Sequence, residues 1–92
     1  MSKLSEKITA HHCEQFGQVD INLLMTKLME EVGEVASDVY RWDQNYDEHN
    51  RDNAVKEIGD VLIVLTVLSY YLDAEIETVY KRAAERFLMR SW

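Results

Sequence analysis

The sequence has no proline, only three glycines and a single cysteine. Without proline, no residue of the chain is compelled to break or kink a helix. One thiol, Cys13, excludes an intramolecular disulfide and suits a reducing compartment, so a cytoplasmic location is expected. Long apolar runs are also missing. The strongest, Val61–Leu68, is far too short to span a bilayer, and MSKLSEKITAHH lacks the apolar core of a secretory signal. Positive charge is scarce: ten Lys and Arg stand against 17 Asp and Glu, for a net charge of −7. That balance argues against nucleic acid as a partner, because binding to its backbone rests on cationic contacts. It leaves room for a phosphorylated small molecule, since divalent cations can lie between acidic side chains and an anion.

What is present is helical pattern. The 92 residues are enough for one domain, expected over 1–92, and 47% of them are apolar. Leu4, Ile8, His12 and Phe16 recur at helical spacing, with Gly17 as a stop. Asp20 is a good N-cap for a second helix, and Val19 is placed to staple against Leu24. Ile21, Leu24, Leu28, Val32, Val35 and Val39 then mark one apolar stripe as far as Trp42. The polar segment Asp43–Asn53 reads as a loop. A third helix is expected from about Asp52 to Leu72 and a fourth from about Glu75 to Arg90, with Ile76, Val79, Tyr80, Ala83 and Phe87 as its inner face. No β-type alternation occurs. The third helix is apolar nearly all round between Val61 and Leu68, so it should be buried on several sides. A chain this short has too few helices to surround it. The expected fold class is therefore all-α, a four-helix chain that forms an oligomeric helical bundle.

One phrase occurs twice. EEVGEV spans Glu30–Val35 and KEIGDV spans Lys56–Val61. Each copy puts a glycine inside a helix, at a cost of roughly 1 kcal/mol relative to alanine. Each also puts acids three residues apart, and therefore on one face. For the second helix alone, Lys27, Glu31, Glu34 and Asp38 read equally as an ordinary solvated stripe. The third helix shifts the balance. The face of Glu57 and Asp60 continues into Val64, Val67 and Tyr71, so those acids stand at the mouth of a packed interior. Two antiparallel helices would bring both pairs to similar depth. Like charges about 6 Å apart repel by roughly 2–3 kcal/mol at an effective dielectric near 20, so gathered carboxylates call for a cation. Gly33 and Gly59 would let the helices approach closely. All the donors are hard oxygens, which suit Mg²⁺ or Mn²⁺ and argue against zinc. A di-iron bundle would want Glu-x-x-His, but Gly33, Glu34, Ser37 and Asp60 follow Glu30, Glu31, Glu34 and Glu57 at that spacing.

EEVGE followed by EIGDVL, on two helices with a polar segment between them, resembles the MazG-type nucleoside triphosphate pyrophosphohydrolases. The resemblance covers about Leu24 to Leu72 and implies an all-α fold and hydrolysis of (deoxy)nucleoside triphosphates to the monophosphate and pyrophosphate, in a nucleotide-pool house-cleaning role. It implies Glu31, Glu34, Glu57 and Asp60 as Mg²⁺ ligands, with Mn²⁺ the alternative that the oxygen donors allow, and Glu30 as the residue that orients or deprotonates the attacking water. It also implies a homodimer, or a tetramer made of dimers. Many members hold phosphate with a Lys and an Asn in the last helix, a pair that Lys81–Arg90 does not supply in register. Lys81, Arg82 and Arg86 are the phosphate candidates there, with Arg90 on the same face, and Lys27 is a further candidate beside the acids. Trp42, Phe16 and His12 are candidates for contact with the base, although such side chains more often serve packing. His11, His12 and Cys13 do not form a ligand cluster, because neighbours on a helix do not face one another. The phosphoribosyl-ATP pyrophosphohydrolases are similar too, but the glycines in EVGEV and EIGDVL are more MazG-like. A non-enzymatic helical oligomerisation module, with its acids solvated, is the third reading.

Overall fold

The computed structural model describes residues 3–90, which form four α-helices and, among the described residues, no strand. The order is α1 Lys3–Phe16, α2 Ile21–Asn45, α3 Glu48–Tyr71 and α4 Ile76–Leu88. This is the all-α class that the periodicity implies.

The caps fall where local chemistry dictates. Gly17 ends α1 at φ 78°, and its amide donates to the Cys13 carbonyl at 2.7 Å. Only glycine adopts that left-handed conformation without a steric penalty. The Asp20 carboxylate accepts from the Leu23 amide at 3.1 Å and caps α2. Glu75 caps α4 by accepting from the amides of Glu77 and Thr78 and from the Thr78 hydroxyl. Those three donors hold its carboxyl below the ordinary range, the Thr78 amide contributing most.

The expected loop over Asp43–Asn53 is not there. α2 continues to Asn45, α3 begins at Glu48, and only Tyr46 and Asp47 join them. The polar residues of that segment are used as helix surface and caps. Tyr46 takes the left-handed conformation and donates its amide to the Trp42 carbonyl at 2.7 Å. Asp47 accepts from the His49 amide at 2.9 Å and starts α3. Asn53 meets His49 one turn along, and Arg51 pairs with Asp52. Asn, Asp and His are poor helix formers in isolation, but capping and side-chain pairing outweigh their weak intrinsic cost. α2 is consequently about 37 Å long rather than the expected 33 Å, at 1.5 Å per residue.

Backbone contacts group the chain into two compact units: residues 20–65, and the residues up to Val19 together with those from Thr66 on. The first unit is the α2–α3 hairpin, and its buried apolar side chains are Leu24, Ala54 and Val64. The second holds α1, the end of α3 and α4, with Val67, at 2% exposure, as its best-buried apolar side chain. The apolar stretch of α3 is not covered all round within the chain. Val64 and Val67 are buried, whereas Leu62 and Ile63 are about half exposed. The inner face expected of α4 is likewise only partly covered: Ile76 and Ala83 are half-buried, and Val79, Tyr80 and Phe87 are exposed.

Candidate functional site

The short α2–α3 turn keeps the acids of both helices in one compact unit. With two residues between the helices, α3 runs back along α2. Glu31, Glu34 and Asp38 share one face of α2. Asn50, Glu57 and Asp60 share one face of α3. All six belong to the same compact unit.

The two faces are electrically in contact. Burial first, then the charges of Glu34 and Asp60, raise the Glu31 carboxyl above its ordinary value; Lys27 opposes this, and Glu30 adds slightly to it. Burial also leads at Glu57, followed by a hydrogen bond with Asp38 and the charges of Asp38, Glu34 and Glu31. Carboxylates of α2 and α3 thus penalise one another's ionisation across the hairpin. The Glu57 Oε2 atom is shielded from solvent and has no hydrogen-bond partner. An orphaned buried oxygen among acids is what a cation would relieve.

Among the described residues, no three His, Cys, Asp or Glu side chains close around a single point as metal ligands. The donor chemistry nonetheless fits a hard divalent ion. Four carboxylates, one with a bare buried oxygen, need charge compensation, and Lys27 supplies part of it at Glu31. Glu30 is exposed and pairs with Lys27 at 3.9 Å.

Lys27, Glu30, Glu31, Glu34, Trp42, Glu57 and Asp60 lie in the α2–α3 unit. His12, Phe16, Lys81, Arg82 and Arg86 lie in the other unit. In that unit the rings of His12 and Phe16 stack at a tilt of 45°, with centroids 4.8 Å apart. Lys81, Arg82 and Arg86 are exposed on α4. Trp42 is marginally exposed near the end of α2.

Two expectations need correction or extension. Gly33 and Gly59 do not serve close approach of α2 to α3: a Cβ on either would meet nothing within 4 Å. In addition, Asp38, which reads in sequence as the last member of a solvated stripe, is only 7% exposed. Its Oδ1 accepts from Asn50 Nδ2 at 3.1 Å, and its charge helps to raise the Glu57 carboxyl. Spacing alone puts Asp38 one turn after Glu34 and Glu57 two turns after Asn50, but it does not show that a two-residue turn buries Asp38.

A model of the MazG nucleotide pyrophosphohydrolase domain matches residues 20–91. That span holds both acidic pairs and α4, and leaves out α1. No curated protein and no solved structure gives a significant match.

Proposed function

We propose, from the premise that the chain belongs to the MazG nucleotide pyrophosphohydrolase domain family, that it cleaves (deoxy)nucleoside triphosphates to the monophosphate and pyrophosphate with Mg²⁺ as cofactor. The observation that carries this reading is the mutual electrostatic load of Glu31 and Glu57 with Glu34 and Asp60 across the hairpin. Solvated acids on separate faces would not share it.

Glu31, Glu34, Glu57 and Asp60 would hold the cation, and Mn²⁺ would suit the same oxygens. When bound, the cation supplies charge neutralisation on the phosphate oxygens and the leaving pyrophosphate. In the hydrolysis itself, a water oxygen bonds to the α-phosphorus and the bond to the bridging oxygen breaks. Glu30, exposed and outside the ligand set, takes the proton of that water. The two helices fix the acids relative to each other, so the contribution of the fold is position. Lys27 and the basic residues of α4, Lys81, Arg82 and Arg86, are the candidates for phosphate contact. Trp42, Phe16 and His12 are those for the base. The same reading makes the active species a homodimer or a tetramer of dimers.

A panel of nucleoside triphosphates with Mg²⁺ tests this directly. Pyrophosphate should appear with the monophosphate in equal amounts. Stoichiometric orthophosphate, with no pyrophosphatase added, would exclude the reaction. Phosphoribosyl-ATP in the same panel separates the two related activities by product.

A further inference from the structure

Asp38 is a buried acid outside the four proposed ligands. It is 7% exposed, and its Oδ1 accepts from Asn50 Nδ2 at 3.1 Å, a bond that joins α2 to α3. An ionised carboxylate only accepts hydrogen bonds, whereas an amide offers a donor group at one end and an acceptor at the other. The acid therefore decides which way the amide points. The Asn50 NH₂ group is held against Asp38. Its oxygen, Oδ1, points elsewhere, takes no hydrogen bond among the described residues and is not shielded from solvent. From a half-buried position, Asn50 thus presents a fixed acceptor. An asparagine with no such partner would turn and present either group.

The place of that acceptor gives it a use. Asp38 follows Glu34 by one helical turn, about 6 Å along α2, and the partly exposed Trp42 follows Asp38 by one more. One face of α2 thus runs from the acids to the Asp38–Asn50 pair and on to an indole, all within one compact unit. A nucleotide has its parts in the same order: charged phosphates, then a base with a polar edge and a flat apolar face.

We propose that Asn50, oriented by Asp38, reads the nucleobase, and that its outward oxygen selects bases carrying an exocyclic amino group over those with an oxo group in the same place. This rests on the reading of the chain as a nucleoside triphosphate pyrophosphohydrolase with its cation at the acids. An amino group donates to Asn50 Oδ1. An oxo group there sets oxygen against oxygen and leaves both desolvated without a bond. Asn50 touches the base; Asp38 acts through Asn50 and is a positioning residue.

The test is kcat/KM for pyrophosphate release from the triphosphates of cytidine and uridine, and of adenosine and inosine, as ribo- and deoxyribonucleotides in saturating Mg²⁺. Within each pair an amino group is exchanged for an oxo group, with the ring proton that accompanies it. The parent should favour the amino member of each pair by about tenfold or more. Asn50→Ala should bring both ratios close to one. Asp38→Asn should bring them to one or below, because an amide in place of the carboxylate lets Asn50 turn its NH₂ group outward. A merely structural defect would slow both members of a pair alike and leave the ratio where it was. If Asn50→Ala does not fold, Asp38→Asn carries the test. A parent with no preference within the pairs overturns the proposal alone, as does a preference that survives in either folded variant. A parent that releases pyrophosphate from none of these nucleotides overturns the reading on which the proposal rests.

Discussion

Lys27 Nζ lies 3.9 Å from Glu30 Oε2, one turn apart on α2, with both side chains about half exposed. An exposed pair of this kind is worth at most about 1 kcal/mol, so Glu30 remains free to leave Lys27 and meet a water. Glu30→Gln should cut turnover by about a hundredfold or more, the range of a lost general base, and leave Mg²⁺ affinity nearly intact. Steady-state kinetics beside calorimetry reads both quantities. If Glu30→Gln loses the cation as badly as Glu57→Gln does, Glu30 is a ligand and the base lies elsewhere.

The repulsion between α2 and α3 sets a second expectation. Asp60 raises the Glu31 carboxyl from across the hairpin. Asp60→Asn should therefore stabilise the metal-free protein, by on the order of 1 kcal/mol, while abolishing activity. Mg²⁺ should raise the melting temperature of the parent by mass action and that of the variant much less. Ionic strength must be held constant, because salt alone screens the repulsion. A strong loss of stability in metal-free Asp60→Asn would make Asp60 a structural hydrogen-bonding residue.

The same carboxyls give the metal-free protein a pH dependence of known sign. Glu31 and Glu57 hold their protons to higher pH when folded than the ordinary value of 4.5. Their contribution is thus fully favourable below 4.5 and is lost as pH rises through the raised values. Glu75 runs the other way: its carboxyl is lowered, so its contribution is present above 4.5 and is lost as pH falls through the lowered value. Acidification from neutrality toward 4.5 should first stabilise the metal-free protein, and further acid should then remove the Glu75 cap. Saturating Mg²⁺ should flatten or reverse the first limb, because protons and cation compete for the same oxygens. Chemical denaturation across pH, with and without Mg²⁺, reads this. Stability that falls steadily from neutrality to 4.5 without metal would show that the two carboxyls do not govern that range.

Helix identity was legible because period and cap residues agree along the chain. Asp20, Gly17 and Glu75 each sit at an end that the apolar stripes also mark. The α2–α3 turn was not legible. Asp43–Asn53 carries loop-like composition, and what overrides it is side-chain capping by Asp47 and pairing of His49 with Asn53, which composition does not encode. The acidic pairs were legible as faces, since three-residue spacing fixes a helical face. Asp38 was not, because its burial depends on a turn two residues long. A longer loop would have placed a different residue opposite Asn50.

An apolar groove of about 460 Å³ lies within the α2–α3 unit, lined by Val32, Val35, Ala36, Val39, Ile58, Val61 and Leu62. Val32, Val39, Ile58 and Leu62 are each about half exposed there. Large apolar side chains grouped in this way seek a cover. Light scattering should find a dimer or tetramer at micromolar concentration. Leu62→Glu, which puts a charge in the groove, should shift the population toward monomer. A parent protein that is a stable folded monomer would contradict the oligomer.

Gly33 and Gly59 border the same groove, because the residue three after each, Ala36 and Leu62, lines it. Both have helical backbone, so conformation does not require glycine, and neither faces an atom of the chain within 4 Å. Alanine would raise helix propensity by roughly 1 kcal/mol at each position. Within an isolated chain, then, Gly59→Ala should be stabilising. If the open space instead admits a helix of a second copy, the added methyl group meets that helix, and overpacking costs about 1–3 kcal/mol. The oligomer should then dissociate at higher protein concentration than the parent does, while each chain keeps its helicity. Sedimentation over a concentration series, paired with far-ultraviolet circular dichroism, separates the two outcomes. Unchanged association together with a raised melting temperature would mean that the glycine leaves room for something other than a second copy, and a nucleotide titration of the same variant would read whether that is the substrate.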